Sequence, residues 1–176
     1  MTRLPLFALL CSCLGIGACM PNDAQLKPYY EMRTSFDPQE VAWFDEDGTN
    51  SIQGSALIRQ RGGSIVTCAG NEVDLVPVSR YATERMLVIY GSTERGYSRI
   101  GNAVIKGEPD YLYWTTSQTK RCDAQGSFSF SNLPNGSFYV ITTITWRVSE
   151  YRNAGGALMA RITLEDGEAG EVVLTP

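Results

Sequence analysis

Residues 122–148 read CDAQGSFSFSNLPNGSFYVITTITWRV and hold two extended segments with a turn between them. Phe128 and Phe130 alternate with Ser127, Ser129 and Ser131, the period of two of a strand with one face buried. Asn132-Leu133-Pro134-Asn135-Gly136 breaks the alternation, since proline has no amide to donate to a ladder and Asn-Gly tolerates positive φ. From Ser137 the alternation resumes. Phe138, Val140, Thr142, Ile144, Trp146 and Val148 fall on one face, and Tyr139, Ile141, Thr143, Thr145 and Arg147 on the other. Two such strands in succession belong in the middle of a β-sandwich.

A polar turn at 123–126, then Phe128-x-Phe130, then Leu133-Pro134-x-Gly136 and an aromatic-Val strand, is similar to the carboxypeptidase regulatory-like domain. The motif covers residues 122–140 well and extends more weakly to 54–78 and to the closing pair at 157–175. The resemblance implies an all-β fold, a seven-stranded transthyretin-like or Ig-like sandwich. It also implies a non-catalytic binding or spacer module, and sandwiches of this kind host many roles.

Composition narrows the function classes. At 176 residues the chain suits one domain with an N-terminal extension. An apolar content of 43% supports a packed core rather than disorder. A net charge of −4 without a long basic run argues against a nucleic-acid partner. Histidine is absent, which removes the commonest general base and the commonest transition-metal ligand together.

Residues 1–18 read as a signal peptide: Arg3 supplies the positive charge, and the apolar run at 4–16 is too short to span a bilayer. Ile16-Gly17-Ala18-Cys19 resembles the lipobox of bacterial lipoproteins, which implies a lipid on Cys19 and a membrane partner through that anchor. Met20 stands where aspartate would retain the protein at the inner membrane, so the resemblance implies the outer membrane. The alternative is an ordinary secretory signal with a cysteine at 19 by coincidence. Residues 19–40, with Pro21, Pro28 and Pro38 and no periodicity, read as lipidated N-terminus and tether; residues 41–176 read as the sandwich domain. Tyr29 and Tyr30 within the tether are available to dock.

With Cys11 and Cys13 in the signal and Cys19 lipidated, Cys68 and Cys122 remain. An even pair in an exported chain reads as a disulfide, the alternative being two free thiols. Closing a loop of about 55 residues stabilises a fold by roughly 4 kcal/mol on the chain-entropy account.

Along the chain, residues 41–44 offer an edge strand, and 45–50 an acidic turn whose Asp-x-Asp-Gly-x-Asn spacing lacks the closing glutamate of a calcium loop. Strands are expected at 51–60, with Ile52, Ala56 and Ile58 inward, at 64–68, and at 72–78. Residues 79–90 form the one expected helix, capped by Ser79 and closed by Gly91, although 86–90 also suits a strand. Short strands at 100–105 and 111–116 follow. A turn at 153–156 then leads into a terminal hairpin of 157–164 and 172–175.

No arrangement in the sequence carries catalysis. Nucleophilic triads need a base, and without histidine only Lys27, Lys106 and Lys120 remain, of which Lys120 alone stands three residues after a serine, Ser117. Cys68 and Cys122 are not at metal-ligand spacing, and no glycine-rich loop opens a helix. The acid pairs Asp45/Asp47 and Glu165/Asp166 fall in turns, where solvated carboxylates are the default. No enzyme activity, cofactor or metal is expected. Trp146 belongs to the core face, while Tyr111 and Tyr113 are expected on the outside of a strand as a possible ligand surface. The expected function is a structural or protein-interaction lipoprotein of the cell envelope, with a glycan- or peptidoglycan-binding module as the alternative.

Overall fold

A computed structural model of the chain describes residues 29–102 and 104–176; the signal segment and Cys19 lie outside the described residues. The first element among the described residues is a 3-10 helix, Pro38–Asp45, followed by β1 (Asn50–Arg59), β2 (Ile65–Thr67), β3 (Glu72–Pro77) and α1 (Arg80–Tyr90). Next come β4 (Arg95–Arg99), α2 (Tyr111–Thr116), β5 (Gln118–Arg121) and β6 (Ser127–Leu133). β7 (Gly136–Ser149), β8 (Arg152–Leu164) and β9 (Ala169–Leu174) complete the chain.

These strands form an all-β sandwich of two sheets. In the first, β1 pairs in parallel with β9 over Ser51 to Ala56. Along its other edge β1 takes β6 and then β2, both antiparallel. The second sheet is antiparallel throughout, in the order β4-β8-β7-β3-β5. The stretch 127–149 thus supplies one strand to each sheet, and the Leu133–Gly136 turn carries the chain across. Phe128 and Phe130 from β6 meet Phe138, Val140 and Ile144 from β7 in one buried core, as the alternation predicts.

A second layer covers the outer face of the five-stranded sheet. Val76, Tyr139 and Met159 on that face pack against Ala82 and Met86 of α1, with Met32 and Phe36 beside them. Ser79 starts α1, its hydroxyl accepting from the Ala82 amide at 3.1 Å. Gly91 closes it with φ 72°, a left-handed turn that favours glycine. Residues 29–37, read as part of the tether, lie against this layer. Both oxygens of Glu84 on α1 are occupied: Tyr30 Oη and the Arg33 amide donate to Oε1, and the Thr34 amide to Oε2, each at 2.8 Å. These bonds dock the segment 29–37 onto α1.

One end of the sandwich is closed by Asn50, which is buried. Its Nδ2 donates to Leu133 O at 3.1 Å and to Asn135 Oδ1 at 2.9 Å, while Oδ1 accepts from the amides of Gly167 and Glu168. One side chain thereby ties the β6–β7 and β8–β9 turns to the first strand.

Several sequence expectations are corrected. The described residues hold nine strands rather than seven, β4 and β5 being short edge strands of the second sheet, and two α-helices rather than one. Residues 41–44 are helical: Asp37 caps the turn and Pro38 starts it, and at three residues per turn Val41 and Phe44 point the same way into the core. The strand expected at 100–105 is Arg95–Arg99 instead, and Ile105 makes only an isolated bridge to Tyr30. β8 and β9 are no hairpin. Both edges of β8 are already occupied, by β7 and β4, so β9 crosses to the other sheet.

The turn expected at 153–156 lies instead at Glu150–Tyr151, between β7 and β8. The glycines at 155 and 156 serve close approach rather than a turn: a Cβ at Gly155 (φ 111°) would sit 2.0 Å from the Ile144 carbonyl oxygen.

Candidate functional site

Cys68 and Cys122 form the expected disulfide, with Cα atoms 5.8 Å apart. Cys68 follows β2 in one sheet and Cys122 follows β5 in the other, so the bond staples the two sheets at one margin. The backbone reinforces it: Gly70 N donates to Cys122 O at 3.1 Å and Cys122 N to Asn71 O at 2.9 Å.

Tyr111 and Tyr113 do not form a shared surface. Residues 111–116 are a helix, because Asp110 Oδ1 accepts from the Leu112 amide at 2.8 Å and the hydroxyls of Thr116 and Ser117 close the other end on carbonyls. Helical rotation sends Tyr113 inward, where it is 3% exposed, and leaves Tyr111, Leu112 and Trp114 outside. Tyr113 meets Phe36 and Tyr81 edge-on, and burial pushes its hydroxyl up to about 12. The buried Arg85 guanidinium stands over the rings of Tyr81 and Tyr113, 5.7 and 5.3 Å from their centroids. These aromatics are a packed layer around a cation.

The acidic turn at 45–50 is likewise structural, its Asn50 being consumed by the end-closing network. Among the described residues no cluster of three or more Cys, Asp or Glu side chains could hold a metal ion.

Besides a shallow concavity of about 420 Å³ along Tyr97–Asn102, two others bear on the question. The larger, about 910 Å³, lies over the uncovered outer face of the four-stranded sheet, among Gln53, Ser55, Ser127, Ser129 and Ser131. Its charges offset one another: Lys120 and Arg121 face Asp123 and Glu171, and Arg121 is already bound to Glu72 and to Gly70 O. Its one aromatic, Phe128, is turned into the core. This is the solvated face of a sheet, polar as an antiparallel sheet's outer side should be.

The second concavity, about 690 Å³, opens at the end of the sandwich opposite Asn50. It exists because β7 and β8 outrun their neighbours. β3 pairs with β7 only as far as Thr142, and β4 with β8 only as far as Gly156, opposite Ile144. Beyond that point the hairpin projects alone, and its inward face carries Trp146 opposite the small Ala154. Trp146 is half-buried, its inner part packed on the core. Tyr97 of β4 lines the same cavity, and its hydroxyl donates to Gly155 O at 2.9 Å, which fixes the ring. Facing this floor is the β1–β2 turn, held by Gln60 N to Ser64 O at 2.8 Å and Gly63 N to Gln60 O at 2.9 Å. It contributes Arg59, Gln60 and Arg61, while Arg99 ends β4 and Arg152 starts β8. Asn153 and Pro176 complete the rim.

Sequence reading had placed Trp146 in the core and missed the cleft. Its lining comes from four segments that only the sheet pairing brings together.

Among solved structures the chain is similar to a candidate carbohydrate-binding protein of Pseudomonas aeruginosa, at a TM-score of 0.66 and 22% identity. The likeness covers 81% of this chain and 99% of that one. At this identity what is shared is the fold. No family model matches the chain, and no curated protein does.

Proposed function

We propose that the chain is a non-catalytic carbohydrate-binding module, exported and held at the outer membrane by a lipid on Cys19, and that the open-ended cleft is its glycan site. The observation that carries this reading is the cleft lining: Trp146 and Tyr97, both only partly buried, line one cavity of about 690 Å³. Pockets that bind small ligands run from about 300 to 1,000 Å³ and combine apolar faces with a few placed polar groups. A pyranose ring offers an apolar C–H face to an indole, and its hydroxyls match Gln60 and Asn153 at the rim. The name of the Pseudomonas structure agrees with this reading.

The test is a glycan-panel titration of the full chain, read by tryptophan fluorescence and calorimetry, with Trp146→Phe and Asn153→Ala as variants. Binding weakened in both variants, with unchanged melting, is the expected result. Saccharide binding that ignores both substitutions removes the cleft from the reading.

A specific observation favours a second reading, a protein-interaction module of the envelope. The outer side of α2 exposes Tyr111, Leu112 and Trp114 together. Crosslinking from position 114 in intact envelopes separates the two, since an envelope protein captured there and no glycan bound at Trp146 selects the second.

A further inference from the structure

We infer that the open-end cleft selects an anionic glycan, one whose saccharide units carry carboxylates; this rests on the carbohydrate-binding reading of the same cleft. Arg59, Arg61, Arg99 and Arg152 enter it from three separate segments. All four are exposed, and no acidic side chain lines the cleft among the described residues.

The rest of the surface behaves differently. The ion pairs among the described residues use Arg80, Lys106, Arg121 and Arg161, each with a glutamate. The chain as a whole holds 19 acidic against 15 basic residues, so four unpaired arginine side chains gathered in one cavity without an acidic side chain run against its average. Gathering like charges costs free energy in the empty protein, and that cost turns into attraction when an anion enters. The planar guanidinium fork matches a carboxylate with two parallel hydrogen bonds, which a lysine cannot do.

The aromatic floor decides between kinds of anion. A compact ion such as inorganic phosphate would reach one or two arginines and leave Trp146 and Tyr97 untouched. A polymer of uronic-acid type uses both features at once, its ring faces on the aromatics and its carboxylates on arginines spread along the rim. Stacked bases with a phosphate backbone share part of this chemistry, so a single-stranded oligonucleotide belongs in the test.

The experiment titrates the full chain by calorimetry with two matched pairs: oligogalacturonate against its methyl ester, and carboxymethyl-dextran against dextran. The charged member of each pair is expected to bind at least about tenfold tighter, with the preference shrinking as salt rises from about 50 to 300 mM. Arg99→Gln/Arg152→Gln and Arg61→Gln alter only exposed side chains. Each is expected to reduce the preference severalfold without moving Tm. Equal affinity for charged and neutral members overturns the anionic selectivity and leaves carbohydrate binding standing. Inorganic polyphosphate binding as tightly as the charged sugars, through the same arginines, overturns the carbohydrate reading and leaves an anion site. Tighter binding of the oligonucleotide than of any sugar overturns the inference, and no binding by any probe overturns both readings.

Discussion

The side chain of Asn50 accepts a hydrogen bond from the backbone amide of Gly167 at 2.8 Å, across 117 residues of sequence. It is one of four such bonds at a buried side chain, and removing that side chain takes the partner from the Gly167 amide and a partner from the Leu133 carbonyl, while the Glu168 amide keeps Glu165 O at 3.1 Å. An unsatisfied buried polar group costs about 1–3 kcal/mol. Asn50→Ala is therefore expected to lower stability by about 3 kcal/mol in urea denaturation, and Asn50→Asp by less, since it keeps the acceptor. A loss under about 1 kcal/mol for Asn50→Ala would show that water replaces the network without penalty.

Glu84 makes the docking of residues 29–37 pH-dependent. Desolvation would raise its carboxyl, but hydrogen bonds from Thr34, Arg33 and Tyr30 outweigh that and hold it at about 2, against an ordinary 4.5. A depressed acid stabilises the docked form above its unfolded value, and that contribution fades as pH falls from about 4.5 towards 2. Hydrogen exchange at Arg33 and Thr34 should accelerate across this window while the sheet amides stay protected. Glu84→Gln should show the faster exchange already at neutral pH and lose the pH response.

The disulfide should carry stability rather than topology. Cys68→Ala with Cys122→Ala is expected to cost about 2–4 kcal/mol while the β signature in circular dichroism persists, because the paired strands on either side hold their own ladders. Non-reducing peptide mapping of exported protein gives the direct check. Two free thiols there would remove the bond from the native protein.

The proposed anchor is tested apart from the fold. Cys19→Ala should move the protein from the membrane fraction to the soluble one, and a fatty-acid analogue should label the unmutated chain alone. Absence of label on the unmutated chain would leave the lipobox reading without support.

Legibility followed the period of two. β1, β3, β6 and β7 alternate, and their inward residues Ile52, Leu75, Phe130 and Val140 are buried, but the parity of β7 fails beyond Ile144, where Val148 is 47% exposed. The cap residues Ser79 and Gly91 marked both ends of α1. Illegible segments were those whose structure is decided by partners. Arg95–Arg99 has no apolar alternation and is a strand because β8 offers it an edge. Four residues with aromatics at 111, 113 and 114 suit either period, and only the Asp110 cap settles them as helix. Val76 and Tyr139, on the face opposite the sandwich core, are buried too, because α1 covers them and a strand does not announce that a helix will do so. Trp146 reads as core by parity and is core on one side only, since nothing local to it reveals that β3 and β4 stop short.

The parallel pairing of β1 with β9 also bears on how the molecule would carry a load. Ser51 to Ala56 lie in register with Ala169 to Leu174, and both strands run the same way. Tension applied before β1 and after β9 therefore pulls the two strands past one another, loading the whole ladder together instead of peeling it open bond by bond. The segment 29–37, held by Glu84, by the Glu31–Lys106 ion pair and by a short bridge at Tyr30 rather than by a long ladder, would yield first and act as slack. Under such a load the sandwich is the stiff member of the chain and its entry arm the compliant one.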